Sequence, residues 1–138
     1  MAYKFGKKSL ERRAGVDYRL IEISDRALEI TVIDFGIAEH GGLRTAEEQL
    51  QLFLRSASKA DGTRFLSKHQ LGLALDFYAY VDGKASWHPG HLAMVAAAHL
   101  QAAREFGYKL TWGGFWKPWK ITDGIPHGWD SGHVQLED

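Results

Sequence analysis

The stretch Ser67-Lys68-His69-Gln70-Leu71-Gly72-Leu73-Ala74-Leu75-Asp76 joins a turn to a strand and carries two side chains that can bind a metal. Apolar residues alternate from 73 to 79, and this period of two predicts a β-strand. Leu73, Leu75 and Phe77 face one side of the strand, and Ala74, Asp76 and Tyr78 face the other. We therefore expect one face to enter a core and the second to carry a single carboxylate.

A second stretch, Trp129-Asp130-Ser131-Gly132-His133-Val134-Gln135, opens a late strand at His133. The chain has no cysteine, so a metal has to be held by His, Asp or Glu. His69, Asp76 and His133 would supply the three protein ligands of a catalytic zinc site, which leaves a fourth position open for water. Spacing alone also allows ordinary surface or core histidines, because the chain has 7 histidines and such pairings arise by chance.

Helix and strand patterns in irregular order surround these two stretches. A helical stripe is formed by Val16, Leu20, Ile23, Ala27 and Ile30. Thr45 and Glu48 have the spacing of a capping box before a helix over 46–56. Pro89 and Gly107 bound a third helix. Its predicted buried stripe is Leu92, Val95, Ala96, Leu100, Ala103 and Phe106.

Short strands are predicted over 34–39, 109–112 and 133–136, and a long loop rich in Gly and Trp joins the last two. Helices and short strands in this order predict an α+β domain, with a small antiparallel sheet covered by helices.

The composition limits the class of protein. A chain of 138 residues has the length of one domain, and 45% hydrophobic with 25% charged residues is typical of globular proteins. Lys+Arg and Asp+Glu both number 17, so the basic excess of nucleic-acid-binding proteins is absent and we expect no such partner. The start, Met1 to Lys8, is followed by charged residues rather than by the apolar core of a signal peptide, and no apolar run reaches the ~18 residues of a membrane span. We expect neither a signal peptide nor membrane insertion.

The two stretches resemble a known group of enzymes. Ser67-x-His69-x-x-Gly72-x-Ala74-x-Asp76 matches the S-x-H-x-x-G-x-A-x-D motif of the LAS zinc peptidases, named for lysostaphin, D-Ala-D-Ala metallopeptidases and sonic hedgehog. Asp130-x-Gly132-His133 matches the second metal motif of that group. More narrowly, the chain resembles the phage L-alanyl-D-glutamate peptidases, the endolysins of the T5 type. Further matches are Phe5-Gly6-Lys7, Arg26-Ala27-Leu28-Glu29, Asp34-Phe35 and Gly42-x-Arg44-Thr45.

The resemblance implies the LAS fold over residues 1–138, with no separate wall-binding domain, and cleavage of the L-alanyl-D-glutamate bond in the stem peptides of peptidoglycan. His69, Asp76 and His133 would bind Zn²⁺, which lowers the pKa of bound water from ~15.7 toward ~7 and polarises the scissile carbonyl. Asp130 would be the acid/base that moves the proton from water to the leaving amine. The alternative for Asp130 is a cap on the turn that follows it.

Arg44 is also implied at the site, where it would bind a substrate carboxylate or the developing oxyanion. A surface ion pair is the alternative. For Ser67, a contact with substrate and a cap on the His69 turn remain equally open. Gln135 lies on the same strand face as His133, and it either supports that ligand or packs within the strand.

The remaining histidines and tryptophans match no motif. We expect His88 and His91 in solvent and His99 in a structural position, while His40 and His127 border the expected cleft and either could touch substrate. Packing in the core is expected for four tryptophans, with stacking on glycan or peptide as the alternative: Trp112, Trp116, Trp119 and Trp129. Phe115 stands where relatives often have Asp in Gly-Gly-Asp-Trp, which puts in doubt a supporting hydrogen bond or a second cation site there.

Three other functions remain open at this stage. A D-Ala-D-Ala carboxypeptidase of the same fold would use Arg44 for the terminal carboxylate. A zinc-containing binding module without catalysis is a second alternative, against which Asp130 argues, and a structural domain without metal is a third. The resemblance to compact phage lysins implies a substrate in a thin wall beneath an outer membrane, and we expect a monomer. Without a signal peptide it would collect in the host cytoplasm and reach the wall after holin action, although a virion-borne role also remains open.

Overall fold

The computed structural model describes residues 3–64 and 66–137. Over these residues it has the helices α1 (Lys7–Arg13), α2 (Tyr18–Ile30), α3 (Ala46–Leu54) and α4 (Pro89–Phe106). The strands are β1 (Asp34–Ile37), β2 (Ala74–Val81), β3 (Lys84–Ser86), β4 (Leu110–Trp112), β5 (Lys120–Thr122), β6 (Ile125–His127) and β7 (His133–Leu136). A short 3-10 helix, Gly113–Phe115, follows β4.

The main sheet has the strand order β1-β2-β7-β4, and β3 pairs with β2 beyond the end of β7. All of these pairings are antiparallel. The register of β2 with β7 sets Asp76 opposite His133. The predicted α+β architecture with a small antiparallel sheet is confirmed.

One face of the sheet forms the core. Leu75, Phe77 and Ala79 of β2 are buried on this face, against α2 and α4. Because side chains alternate along a strand, Asp76, Tyr78 and Tyr80 lie on the opposite face. Helices α2 and α4 therefore cover the apolar face and leave the carboxylate face for the functional site.

Local chemistry sets the helix ends. The Asp17 carboxylate accepts a hydrogen bond from the Arg19 N–H at the start of α2. Thr45 and Glu48 form the predicted capping box of α3. At α4, His88 caps the first turn before Pro89, and Gly107 ends the helix at a φ of 78°, a conformation that glycine adopts without strain.

Several expectations need correction. Helix α1 was not predicted, because its seven residues, KKSLERR, are too polar to show an apolar stripe. The predicted loop between β4 and β7 instead contains the 3-10 helix and the β5–β6 hairpin. Helix α3 ends at Leu54 rather than 56, and β2 continues to Val81.

The predicted stripe of α4 is also wrong at its end. Phe106, the last residue of α4, is 41% exposed and stacks on Tyr108 instead of entering the core. Leu100 is only partly buried. Across 3–64 and 66–137, the model has no helix that is long and apolar enough to cross a membrane.

Candidate metal centre and active site

His69 is held in a tight turn before β2. The Ser67 hydroxyl accepts a hydrogen bond from the His69 N–H, and the His69 carbonyl accepts one from the Arg44 N–H. Gly72 closes the turn at a φ of 70°. Ser67 therefore caps the His69 turn, which was one of the two roles predicted for it. It also lines the cleft described below.

His69, Asp76 and His133 point at one another. His69 Nε2 lies 3.2 Å from Asp76 Oδ1 and 3.3 Å from His133 Nδ1. Asp76 Oδ1 and His133 Nδ1 are 2.8 Å apart. Ligands at about 2.0–2.1 Å from a tetrahedral zinc are separated from one another by about 3.3 Å. The three atoms thus outline the face of a tetrahedron of the right size, and this donor set fits a metal of the zinc type.

Hydrogen bonds on the far side of each ring orient the two histidines. The Gly42 carbonyl can only accept, so His69 Nδ1 carries a proton and donates across 3.0 Å, which leaves the Nε2 lone pair for the centre. In His133 the roles of the nitrogens are exchanged. Its Nε2 donates to Gln135 Oε1 across 2.8 Å, and the Gln135 amide N–H donates in turn to Glu137. The lone pair of His133 Nδ1 therefore faces the centre.

Arg44 binds the second oxygen of Asp76. Its guanidinium donates to Asp76 Oδ2 across 2.9 Å, to Gln49 Oε1 and to the His40 carbonyl. Only 9% of its side chain is exposed, so the ion pair is a buried one at the centre and not one at the surface. Burial alone would raise the pKa of Asp76, but in the metal-free protein the positive charge that His69 and His133 carry when protonated outweighs it and holds that pKa below its usual range. Asp76 is thus kept as a carboxylate.

Asp130 lies beside the three ligands. Its Oδ2 is 3.8 Å from His133 Nδ1, and its carbonyl accepts from the His133 N–H in the turn that precedes β7. Gly113 allows this approach, because a Cβ at that position would collide with the Asp130 carbonyl. Burial and the neighbouring Asp76 charge raise the pKa of Asp130 above its ordinary value. Asp130 is therefore a more basic carboxylate than an exposed one, placed next to the centre.

The centre lies at the base of an open cleft of about 610 Å³. One wall is the segment 56–60, and the other contains Trp116, Pro118, Lys120 and Trp129. The Lys59 ammonium lies 4.3 Å from the centre of the Trp129 ring and so connects the two walls. Trp116 packs on the His133 ring at 5.2 Å. Four basic side chains line the cleft: Arg44, Lys59, Lys68 and Lys120.

The tryptophans are divided between core and cleft. Trp112 packs against the core, and its indole N–H donates to the Ser131 carbonyl. The core expectation is wrong for Trp116 and Trp129, which line the cleft, and for Trp119, which is 52% exposed. Phe115 is 61% exposed and meets Trp112 edge-on, so this position contributes an aromatic contact.

The other histidines lie outside the centre. His40 pairs with Glu48, and His127 contacts Thr122 and Ser131, so neither lines the cleft. His88 Nε2 lies 3.3 Å from Asp123, and His91 Nδ1 lies 2.7 Å from the Ser86 hydroxyl. His99 is fully buried, in agreement with the structural position predicted for it.

Four supporting groups were not recognised in the sequence: the Gly42 carbonyl, Gln49, Glu137 and the Lys59 contact with Trp129. None of them has a local signal, because each acts through a partner that is distant along the chain or through the backbone. The one available sign was position, since residues 135 and 137 follow His133 on the same strand face.

Comparison with known proteins gives the same assignment. The chain matches the family described as phage L-alanyl-D-glutamate peptidase over residues 1–137. It is 38% identical over 144 residues to the L-alanyl-D-glutamate peptidase of Escherichia phage T5, across 99% of both chains. The fold superposes on the crystal structure of the Serratia marcescens L-Ala D-Glu endopeptidase ChiX with a TM-score of 0.79 and 30% identity, covering 97% of this chain and 90% of that one. The chain therefore belongs to the phage L-alanyl-D-glutamate peptidase family.

Proposed function

We propose that this protein is a zinc-dependent endopeptidase that hydrolyses the L-alanyl-D-glutamate bond in the stem peptides of peptidoglycan. The observation that carries the proposal is the cluster of His69, Asp76 and His133, whose donor atoms lie 2.8 to 3.3 Å apart with Asp130 beside them. Family membership supports the same bond, because the T5 and Serratia relatives are named for it.

Each residue of the site has a defined task. His69, Asp76 and His133 would hold the zinc ion, which as a Lewis acid would acidify water and polarise the scissile carbonyl. Asp130 Oδ2 accepts the proton of the attacking water and returns it to the amine of the leaving D-glutamyl residue. Arg44 orients Asp76 through Oδ2, and its positive charge at the lining of the cleft favours an anionic substrate group.

Action on the wall requires that the protein reach it. We propose that the chain acts as one domain and as a monomer, and that it meets the wall after release from the host cytoplasm by a holin. The open cleft supports a polymeric substrate, because a branched chain can enter it from the side.

The direct test is mass analysis of muropeptides after digestion of purified peptidoglycan. We expect free D-glutamyl peptides together with glycan strands that retain L-alanine. A digest that releases terminal D-alanine instead would identify a carboxypeptidase. Activity that persists after exhaustive chelation, with no metal left on the protein, would contradict the metal mechanism.

The ligand assignment is tested by metal content. His69→Ala and His133→Ala should each lose bound zinc, wall lysis and the stability that metal binding adds to the folded state. His91→Ala removes a histidine outside the centre and should keep about one equivalent of zinc, as should His88→Ala. If zinc content instead depended on His88 and His91, the ligand assignment would be wrong.

A further inference from the structure

An exposed group of aromatic rings continues the face of the sheet that carries the metal centre. Trp87 is 62% exposed and Tyr80 is 40% exposed. The rings of both lie against Tyr78, at 5.7 Å and 5.5 Å between centroids. We call Tyr78, Tyr80 and Trp87 the aromatic platform. An exposed cluster of large rings on an otherwise polar surface is typical of a binding site.

The strand register sets the platform next to the centre. On β2, Asp76, Tyr78 and Tyr80 are alternate residues and share one face. His133 of β7 lies opposite Asp76, and β3 pairs with the same side of β2 further along, with Ser86 opposite Ala79. When this pairing of β2 with β3 is continued by one residue, Trp87 lies opposite Tyr78. Asp76 with His133 and Tyr78 with Trp87 are thus successive cross-strand pairs on one face of the sheet, about 7 Å apart along the strand.

The substrate of the proposed function has a sugar at the matching distance. In peptidoglycan the L-alanine is joined through a lactyl group to an N-acetylmuramic acid ring. One alanyl residue and the lactyl group together have the length of about two residues, or about 7 Å. When the scissile carbonyl is at the centre, this sugar can therefore lie at the aromatic platform.

Charge distinguishes the two directions that the substrate could take across the centre. The D-glutamyl side carries free carboxylates, and the cleft presents Lys59, Lys68 and Lys120, whereas the three rings of the platform are not among the residues that line it. The platform is instead apolar and uncharged, and the C–H faces of a pyranose ring pack well on aromatic rings. This arrangement directs the peptide toward the lysines and the glycan toward the platform.

From these observations we propose that the aromatic platform is a carbohydrate subsite that binds the N-acetylmuramic acid ring next to the scissile bond. The inference rests on the proposed function. It adds a second substrate class to the site, since the protein would recognise the glycan as well as the peptide.

The test compares two substrates that differ only in the sugar: an N-acetylmuramoyl tripeptide that begins L-Ala-D-Glu, and the same tripeptide without the sugar. The measured quantity is the preference, defined as kcat/KM for the first substrate divided by kcat/KM for the second. We expect the wild-type protein to prefer the sugar-bearing substrate, and the preference to fall by about tenfold in Trp87→Ala. Tyr80→Ala should lower the preference as well, and Trp87→Tyr should retain most of it.

Phe106→Ala is the matched control, because Phe106 is 41% exposed and stacks on Tyr108 at the end of α4, away from the cleft. Its preference should equal that of the wild type. Thermal unfolding of each variant checks the fold, and Tyr80→Ala gives the answer if Trp87→Ala does not fold. An unchanged preference in a folded platform variant, or no preference in the wild type, would overturn the subsite. Failure of the wild type to cleave either substrate would instead reject the proposed function.

Discussion

Single residues around the metal centre act mainly by holding other residues. The Gly42 carbonyl and the Gln135 side-chain oxygen accept hydrogen bonds from the ring N–H groups that point away from the centre, so the unprotonated nitrogen of each histidine faces it. Arg44 binds the Asp76 oxygen that faces away from the two histidines. Each contact selects one orientation of a ligand before any metal binds. Pre-orientation of this kind lowers the cost of assembling the site.

Asp130 separates catalysis from metal binding. Asp130→Asn keeps the size of the side chain but removes its ability to accept a proton, so we expect kcat to fall by ~10²–10⁴-fold with zinc content and thermal stability retained. Kinetics on a stem peptide and metal analysis check this together. Asp123→Asn, at a carboxylate that is 74% exposed, is the control and should keep full activity. Loss of zinc would make Asp130 a ligand or a structural turn residue, and normal turnover would show that another group acts as the base.

Gln135 gives a prediction about affinity. Gln135→Leu removes the acceptor of the His133 Nε2–H, so we expect the zinc dissociation constant to rise by about 10–100-fold. Gln135→Glu keeps an acceptor at that position and should bind zinc much more tightly than the Leu variant. A competition titration with a chromophoric chelator measures both. Equal affinities in the two variants would show that the hydrogen bond to His133 has no effect on the ligand.

At the scale of elements, α3 connects the capping box to the cleft. Gln49 on this helix is fully buried, accepts from Arg44, and donates to Ser58 and to the Ala60 carbonyl in the segment that walls the cleft. The helix therefore supports both the buried arginine and one wall. Its own start depends on the reciprocal bonds of Thr45 and Glu48.

Removal of that cap should weaken the element. Thr45→Ala deletes the hydroxyl that accepts from the Glu48 N–H, and we expect the free energy of unfolding to fall by about 1 kcal/mol. Urea denaturation of the chelated protein measures the change. Thr45→Ser keeps the hydroxyl and should stay close to the wild type; an equal loss in both variants would assign the effect to the methyl group.

At the scale of the whole molecule, the core contains one unusual side chain. His99 stacks on Phe77 at 5.0 Å, and its Nδ1–H donates to the Val95 carbonyl. Its Nε2 is the buried side-chain atom without a hydrogen-bond partner in the part of the chain that the structure describes. Burial lowers the pKa of His99 from 6.5 to about 4. Between pH 6.5 and about 4, the folded protein thus keeps His99 neutral in the core, whereas His99 of the unfolded chain is protonated.

This difference makes stability depend on pH. Between pH 6.5 and about 4 the unfolded chain binds a proton at His99 that the folded protein does not, so the free energy of unfolding falls as the pH is lowered through this range. From pH 7 to pH 4.5 the contribution is about 2–3 kcal/mol. We therefore expect urea unfolding of the two metal-free proteins to show that, over this pH range, the wild type loses about 2–3 kcal/mol more free energy of unfolding than His99→Leu does. Parallel pH profiles would show that His99 does not cause the loss.

Local patterns were sufficient for part of this structure. Alternation along β2, the Pro89 and Gly107 limits of α4 and the capping box of α3 each depend on residues that are close in the chain, and all three are present. The prediction that His69, Asp76 and His133 bind a metal came from a resemblance in motif, since their spacing left ordinary histidines as an alternative.

Tertiary structure decided the rest. His69 and His133 are 64 residues apart, and only the pairing of β2 with β7 brings their nitrogens to 3.3 Å. The pairing of β2 with β3 sets Trp87 against Tyr78, next to the candidate metal centre, although Trp87 belongs to no motif in the sequence. The buried pair of Arg44 with Asp76 likewise depends on the turn at His69. The sequence by itself determined β2, the limits of α4 and the start of α3, because those follow from near neighbours, while the orientation of His69, Asp76 and His133 and the surface around them depend on distant strands.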